Sequence, residues 1–133
     1  MQSKQLILGN SAEEYIADYF YKKSYWAYIL PKKIGGQPFD IIACKQNNTW
    51  FVDVKHLEEE KVSFPFSRIE PNQWTSMRFA KMLAGIQNLG FVIVWQKCPE
   101  TPFFLHYDNL LELVNNGEKS VKIERLKPLG DLI

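Results

Sequence analysis

The chain has 133 residues, 46% of them hydrophobic, with four Trp, six Tyr and nine Phe. That is apolar material enough for one compact domain over residues 1–133 and too much for a disordered chain. No apolar run approaches the roughly 20 residues of a bilayer span, and the start, Met1-Gln2-Ser3-Lys4-Gln5, lacks a sustained leader-like stretch, so a cytoplasmic protein free of the membrane is expected. A formal net charge of +1 excludes a broadly basic surface, so any nucleic-acid contact must be local.

Ser11-Ala12-Glu13-Glu14 reads as a capping box opening a first helix, with Ala12, Tyr15, Ile16, Tyr19 and Phe20 on one face. Glu13 falls at the edge of that buried stripe, whereas Glu14 points away from it. Residues 26–30 read as a short strand and residues 31–38 as a loop. Residues 39–44 and 49–54 are rich in β-branched and aromatic side chains, and Asn47-Asn48 between them suits a two-residue type I′ turn, predicting a hairpin. Residues 57–61, with Glu58, Glu59 and Glu60, form an exposed acidic turn, and residues 63–67 are irregular and extended. Pro71 suits the first turn of a long helix ending near Leu89-Gly90. Residues 91–96 and 103–107 are a second pair of strands, Asp108 caps a helix reaching Asn116-Gly117, and the tail from Val121 is placed at a sheet edge. The order α-β-β-β-α-β-β-α is an α/β layer fold, a central sheet covered by helices. Cys44 and Cys98 lack metal or redox spacing and read as reduced core thiols; His56 and His106 have no nucleophile partner and read as structural.

The hairpin carries the chemistry. With Asn47 and Asn48 as the loop, Gln46 pairs with Thr49 and Asp40 with Lys55; alternation then puts Asp53 on the same face, diagonal to Asp40. Two carboxylates and an ammonium on one face can hold a divalent cation against a phosphodiester. The alternative is a cross-strand ion pair beside a solvated aspartate. Lys32, Lys33, Lys61, Arg68, Arg78 and Lys81 are the candidate DNA contacts, each taken singly an ordinary surface charge.

Asp40, preceded by Pro38-Phe39, with the triplet Asp53-Val54-Lys55 resembles the PD-(D/E)xK nuclease superfamily, which implies a restriction-endonuclease-like core, a central mixed β-sheet flanked by helices. Gly9-Asn10-Ser11-Ala12-Glu13 looks like the first-helix signature of Holliday-junction resolvases. Ser63-Phe64-Pro65-Phe66, Ile69, Gln73 and Met77 are similar to the run after the catalytic lysine in the RecU type. The resemblance implies a Mg²⁺- or Mn²⁺-dependent endodeoxyribonuclease leaving 5′ phosphates. Asp40, Asp53, Glu13 and the carbonyl of Val54 would hold metal, Lys55 would orient the attacking water and Gln73 would position the phosphate. It also implies branched or duplex DNA as substrate and a homodimer, with Tyr25 and Trp26 as exposed aromatic candidates for contact. Two features depart from the RecU pattern: residues 31–38 are too short for its projecting stalk, and Asp53 stands where glutamate is common. The rival expectation is a nuclease-fold module that binds DNA or protein without cutting.

Overall fold

Residues 10–32 and 38–133 are described by the structure, a computed structural model. In chain order the elements are α1 (Asn10–Lys22), β1 (Trp26–Ile29), β2 (Ile41–Lys45), β3 (Asn48–Leu57), β4 (Ser63–Pro65), α2 (Pro71–Ala84), β5 (Asn88–Trp95), β6 (Phe103–His106), α3 (Tyr107–Asn115), β7 (Ser120–Lys122) and β8 (Lys127–Pro128). Six strands form one sheet in the order β1-β2-β3-β5-β6-β8, and β4 pairs with β7 in a separate ribbon. Only β3 and β5 run parallel, joined through α2; the other neighbours are antiparallel. No helix of the described residues is long and apolar enough to cross a membrane.

Both faces of the sheet are covered, which is why the central strands read as almost unbroken apolar runs. Ala12, Ile16 and Phe20 of α1, four residues apart, pack on Ile41, Val52 and Val92. On the opposite face Met77 of α2 and Leu110 of α3 join Phe91, Ile93 and Leu105. Gly90 lets β5 and β6 approach: a Cβ there would collide with the backbone carbonyl of Leu105. It lies in a strand because α2 ends at Ala84, well short of the expected Leu89-Gly90. Gly85 takes a left-handed φ of 64° and its N–H returns to the Ala80 carbonyl, closing the helix.

Other boundaries also moved. Since α1 begins at Asn10, Ser11 lies inside its first turn instead of capping it. The cap of α3 is His106, whose Nδ1 accepts the Asp108 N–H at 3.0 Å, so Asp108 is a helical residue and not the cap. Val121 enters the β4–β7 ribbon, and the main sheet's edge is taken by β8. The β2–β3 turn is Gln46-Asn47, not Asn47-Asn48: Lys45 pairs with Asn48 and Cys44 with Thr49. Gln46 alone of the two has positive φ, 52°, so the turn is not the doubly left-handed type I′. Sliding the loop by one residue shifts every pair by two, and side chains keep their faces.

Candidate active site

The β2–β3 ladder stops at Ile41 opposite Val52, while β3 runs on to Leu57 along β5. Beyond that point β3 has no β2 partner, and Asp40 fills the gap. Its N–H donates to the Val52 carbonyl at 3.0 Å, and its Oδ2 accepts the Val54 N–H at 2.7 Å. A carboxylate thus replaces the missing ladder carbonyl. The chain bends here: Phe39 packs on Phe51 in the α2–α3 layer, at 5.0 Å between rings, whereas Ile41 packs in the α1 layer. Strict alternation would put residues 39 and 41 on one face, so Asp40 is aimed by a bend at the end of a strand. The expected Asp40–Lys55 pairing is replaced by a position nearer Asp53.

Asp53 lies between Val52 and Val54 of the α1 layer and so projects to the other face, 1% exposed, with Oδ2 lacking any hydrogen-bond partner. Burial drives its pKa from 3.8 to about 8; the negative charge of Asp40 adds to the rise and the Lys55 ammonium opposes it. Glu13, in the first turn of α1, is 7% exposed and accepts a hydrogen bond from Lys32 Nζ at 2.6 Å. Burial raises its pKa as well; Lys32 pulls it down and Asp40 pushes it back up. The Lys32 ammonium also lies 3.9 Å from Asp40 Oδ1. Partial burial lowers the Lys32 pKa, yet Glu13, Asp40 and Asp53 outweigh that and leave it raised.

Asp40 thus interacts with both Glu13 and Asp53, Lys32 faces all three carboxylates from the side of Glu13, and Lys55 acts on Asp53. Among the described residues no three Asp, Glu, His or Cys side chains converge with the spacing for a single metal ion. On the Lys32 side an open cleft is lined by Glu13, Ile29, Leu30 and Lys32.

The remaining sequence candidates are dispersed. Gln73 Oε1 accepts the Glu70 N–H at 3.0 Å, closing a capping box on α2. Arg68 donates to the His56 carbonyl at 2.6 Å, capping the free edge of β3, and lies over the Phe64 ring. Lys81 pairs with Asp108 at 2.7 Å. Lys61 and Arg78 are exposed, and Lys33 lies outside the described residues, as does Gly9. Of the two aromatic candidates Trp26 is exposed, but Tyr25 is buried against Phe20, the rings 5.4 Å apart. Neither cysteine is in a disulfide, and His106 caps α3.

Sequence reasoning did not place Lys32 among the carboxylates. The signal was present: the Leu30 N–H donates to the Asp40 carbonyl at 2.9 Å, so pairing β1 with β2 carries residue 32 past the acidic end of the sheet.

No protein-family model and no curated protein matches the chain. Among solved structures it is similar to Hjc of Archaeoglobus fulgidus, a Holliday junction resolvase from an archaeal hyperthermophile, with a TM-score of 0.67. The likeness covers 93% of this chain and 98% of that one at 13% sequence identity. It shows the fold: the mixed sheet with helices on both faces is the restriction-endonuclease-like core that the resemblance to the PD-(D/E)xK superfamily implies.

Proposed function

We propose that the protein is a metal-dependent endodeoxyribonuclease of the Holliday-junction-resolvase kind, acting in the cytoplasm on branched or duplex DNA and leaving 5′ phosphates. One observation carries the reading: Asp53 is a buried carboxylate with an unpartnered oxygen, beside Asp40 and on the face of Lys55. Burial and the neighbouring charge of Asp40 both disfavour the ionised form of Asp53, and a bound cation would offset both.

The donors suit a hard divalent cation. Mg²⁺ takes one or two carboxylates and keeps waters elsewhere, so Asp40 and Asp53 suffice, with Glu13 and the Val54 carbonyl as further oxygen donors. Bound there, Mg²⁺ or Mn²⁺ would supply a water of lowered pKa and positive charge at the leaving 3′ oxygen. Lys55 orients the attacking water and balances charge on the pentavalent phosphorus. Asp40, fixed by the Val54 N–H, holds the site to the end of β2. Gln73 positions the scissile phosphate from the start of α2, and Lys32, Lys33, Lys61 and Arg78 meet the flanking backbone. Arg68 and Lys81 are further candidates for that contact, each also holding a partner within the fold. Paired nicks on a branched substrate call for two sites, hence a homodimer.

A second reading is favoured by Lys32. Its ammonium already neutralises Glu13 and approaches Asp40, as a fold that has given up its metal would arrange. That reading is a DNA-binding module without cleavage. Labelled four-way junction, splayed duplex, linear duplex and single strand incubated with Mn²⁺ separate the two. Nicking abolished by Lys55→Ala supports the nuclease; binding without nicking of any substrate supports the module.

A further inference from the structure

On β1 two large aromatic side chains are left in solvent. Trp26 is 55% and Tyr28 50% exposed, their rings parallel within 3° with centroids 6.0 Å apart. Ala27 and Ile29, which alternate with them, pack in the α1 layer, so both rings stand on the opposite face of the sheet, the face of Asp53. There α2 and α3 pack on β5 and β6, beyond the ring-bearing strand.

Register ties this surface to the carboxylates. Tyr28 is opposite Ile42, which is opposite Phe51, and Asp53 is the next residue of β3 on that face. With strands ~4.8 Å apart and ~7 Å between same-face residues, Tyr28 lies on the order of 12 Å from Asp53. Positive charge lies toward the carboxylates, where Lys55 stands on the face of Asp53 and Lys32 at the end of the sheet; Lys45 belongs to the α1 face, reaching the Lys23 carbonyl at 3.1 Å over the Tyr25 ring.

The backbone of this edge strand is not what it offers. The Tyr21 hydroxyl donates to the carbonyl of Ala27, the middle of β1, at 2.9 Å, obstructing the addition of another strand. What remains is a pair of parallel π-faces with cations on the carboxylate side, which matches an unpaired nucleic-acid strand: flat bases on an anionic backbone. We propose that Trp26 and Tyr28 stack unpaired bases of the DNA strand whose phosphate is presented to Asp40, Asp53 and Lys55. This rests on the nuclease-site reading above and narrows its substrate to DNA carrying single-stranded nucleotides beside the cut.

The test is binding with EDTA present, so that no strand is cut, followed by fluorescence anisotropy on linear duplex, splayed duplex and single strand. The proteins are wild type, Trp26→Ala/Tyr28→Ala and Trp26→Phe/Tyr28→Phe, each checked for folding by its melting transition. The double alanine variant should bind splayed and single-stranded DNA roughly tenfold more weakly, with duplex affinity changed less than about twofold, and the phenylalanine variant should keep wild-type affinity. Equal weakening on all three substrates, or none, overturns the proposal. So does a wild-type dimer that the alanine variant alone dissociates, since the rings would then be a subunit contact. Wild-type protein that shows this stacking pattern but never nicks DNA with Mn²⁺ sinks the nuclease reading and leaves the stacking surface standing.

Discussion

Replacing Asp53 by asparagine removes a carboxylate that the fold holds well out of its ordinary ionisation range. The pKa rises from 3.8 to about 8. Below the unfolded value both states carry the proton, and the protein has its full stability. As pH climbs, the unfolded chain ionises freely while the native Asp53 resists, and stability falls until the native group also ionises near pH 8. At about 1.36 kcal/mol per unit the loss is on the order of 5 kcal/mol. Asparagine never ionises, but its amide inherits the position where Oδ2 finds no partner, at a cost of about 1–3 kcal/mol. The variant should therefore be less stable than wild type near pH 4 and more stable, by about 3 kcal/mol, near pH 8.

Urea unfolding followed by tryptophan fluorescence between about pH 4 and pH 9, with EDTA present, measures this directly. At m-values of about 1–3 kcal/mol per molar, the midpoint of Asp53→Asn should exceed wild type by more than ~1 M at the alkaline end. The two stability curves should cross. Curves that run parallel across the range would refute the premise that Asp53 is desolvated and opposed by Asp40. A residual slope of the same sign in the variant belongs to Glu13, whose burial raises its pKa too.

With Mn²⁺ at tenfold excess over its Kd, wild type should gain about 1.4 kcal/mol and a higher melting temperature, and Asp53→Asn should lose most of that shift. Lys32→Met should strengthen Mn²⁺ binding in the same melting assay, because the ammonium 2.6 Å from Glu13 no longer competes for the carboxylates. Gly90→Ala should destabilise by about 1–3 kcal/mol in urea, since the new methyl meets the backbone of β6 at Leu105 and His106, which cannot turn away, as well as the Phe104 ring. His106→Ala should cost about 1 kcal/mol by losing the cap of α3, without changing nicking.

The layer architecture was legible because apolar periodicity survives small errors of boundary. The hairpin shows the same tolerance and its limit. Pairing through Asn47-Asn48 and pairing through Gln46-Asn47 both turn Ile41, Ala43, Trp50 and Val52 toward α1, so burial cannot choose between them. The choice fell to a glutamine accepting positive φ, which composition does not foretell. Asp40 was expected diagonal to Asp53 through strand parity, whereas its position beside Asp53 depends on a bend and on the Val54 N–H. Lys32 was read as a surface charge because its partners come from α1 and β2, elements distant in sequence from the loop that bears it. Gln73 and Arg68 were matched to roles by position alone, which does not reveal that their side chains also hold a helix start and a strand edge.

The placement of the acids follows from where the sheet runs out. Inside a ladder every backbone N–H has its carbonyl, and a carboxylate could enter only by displacing one. Because β3 outruns β2, the Val54 N–H is left for a side chain, and Asp40 takes it at 2.7 Å, drawn in beside the buried Asp53. The same truncation leaves the Asp53–Lys55 stretch of β3 unpaired on its β2 side, while β5 holds the other edge rigid over its full length. A shorter β3 would lose Lys55 from the sheet; a longer β2 would satisfy Val54 with backbone and remove the reason for Asp40 to turn inward. Mismatched strand lengths thus produce both the gap that admits the acid and the rigid edge that holds its neighbours, and the costly ionisation of Asp53 is a consequence of that geometry.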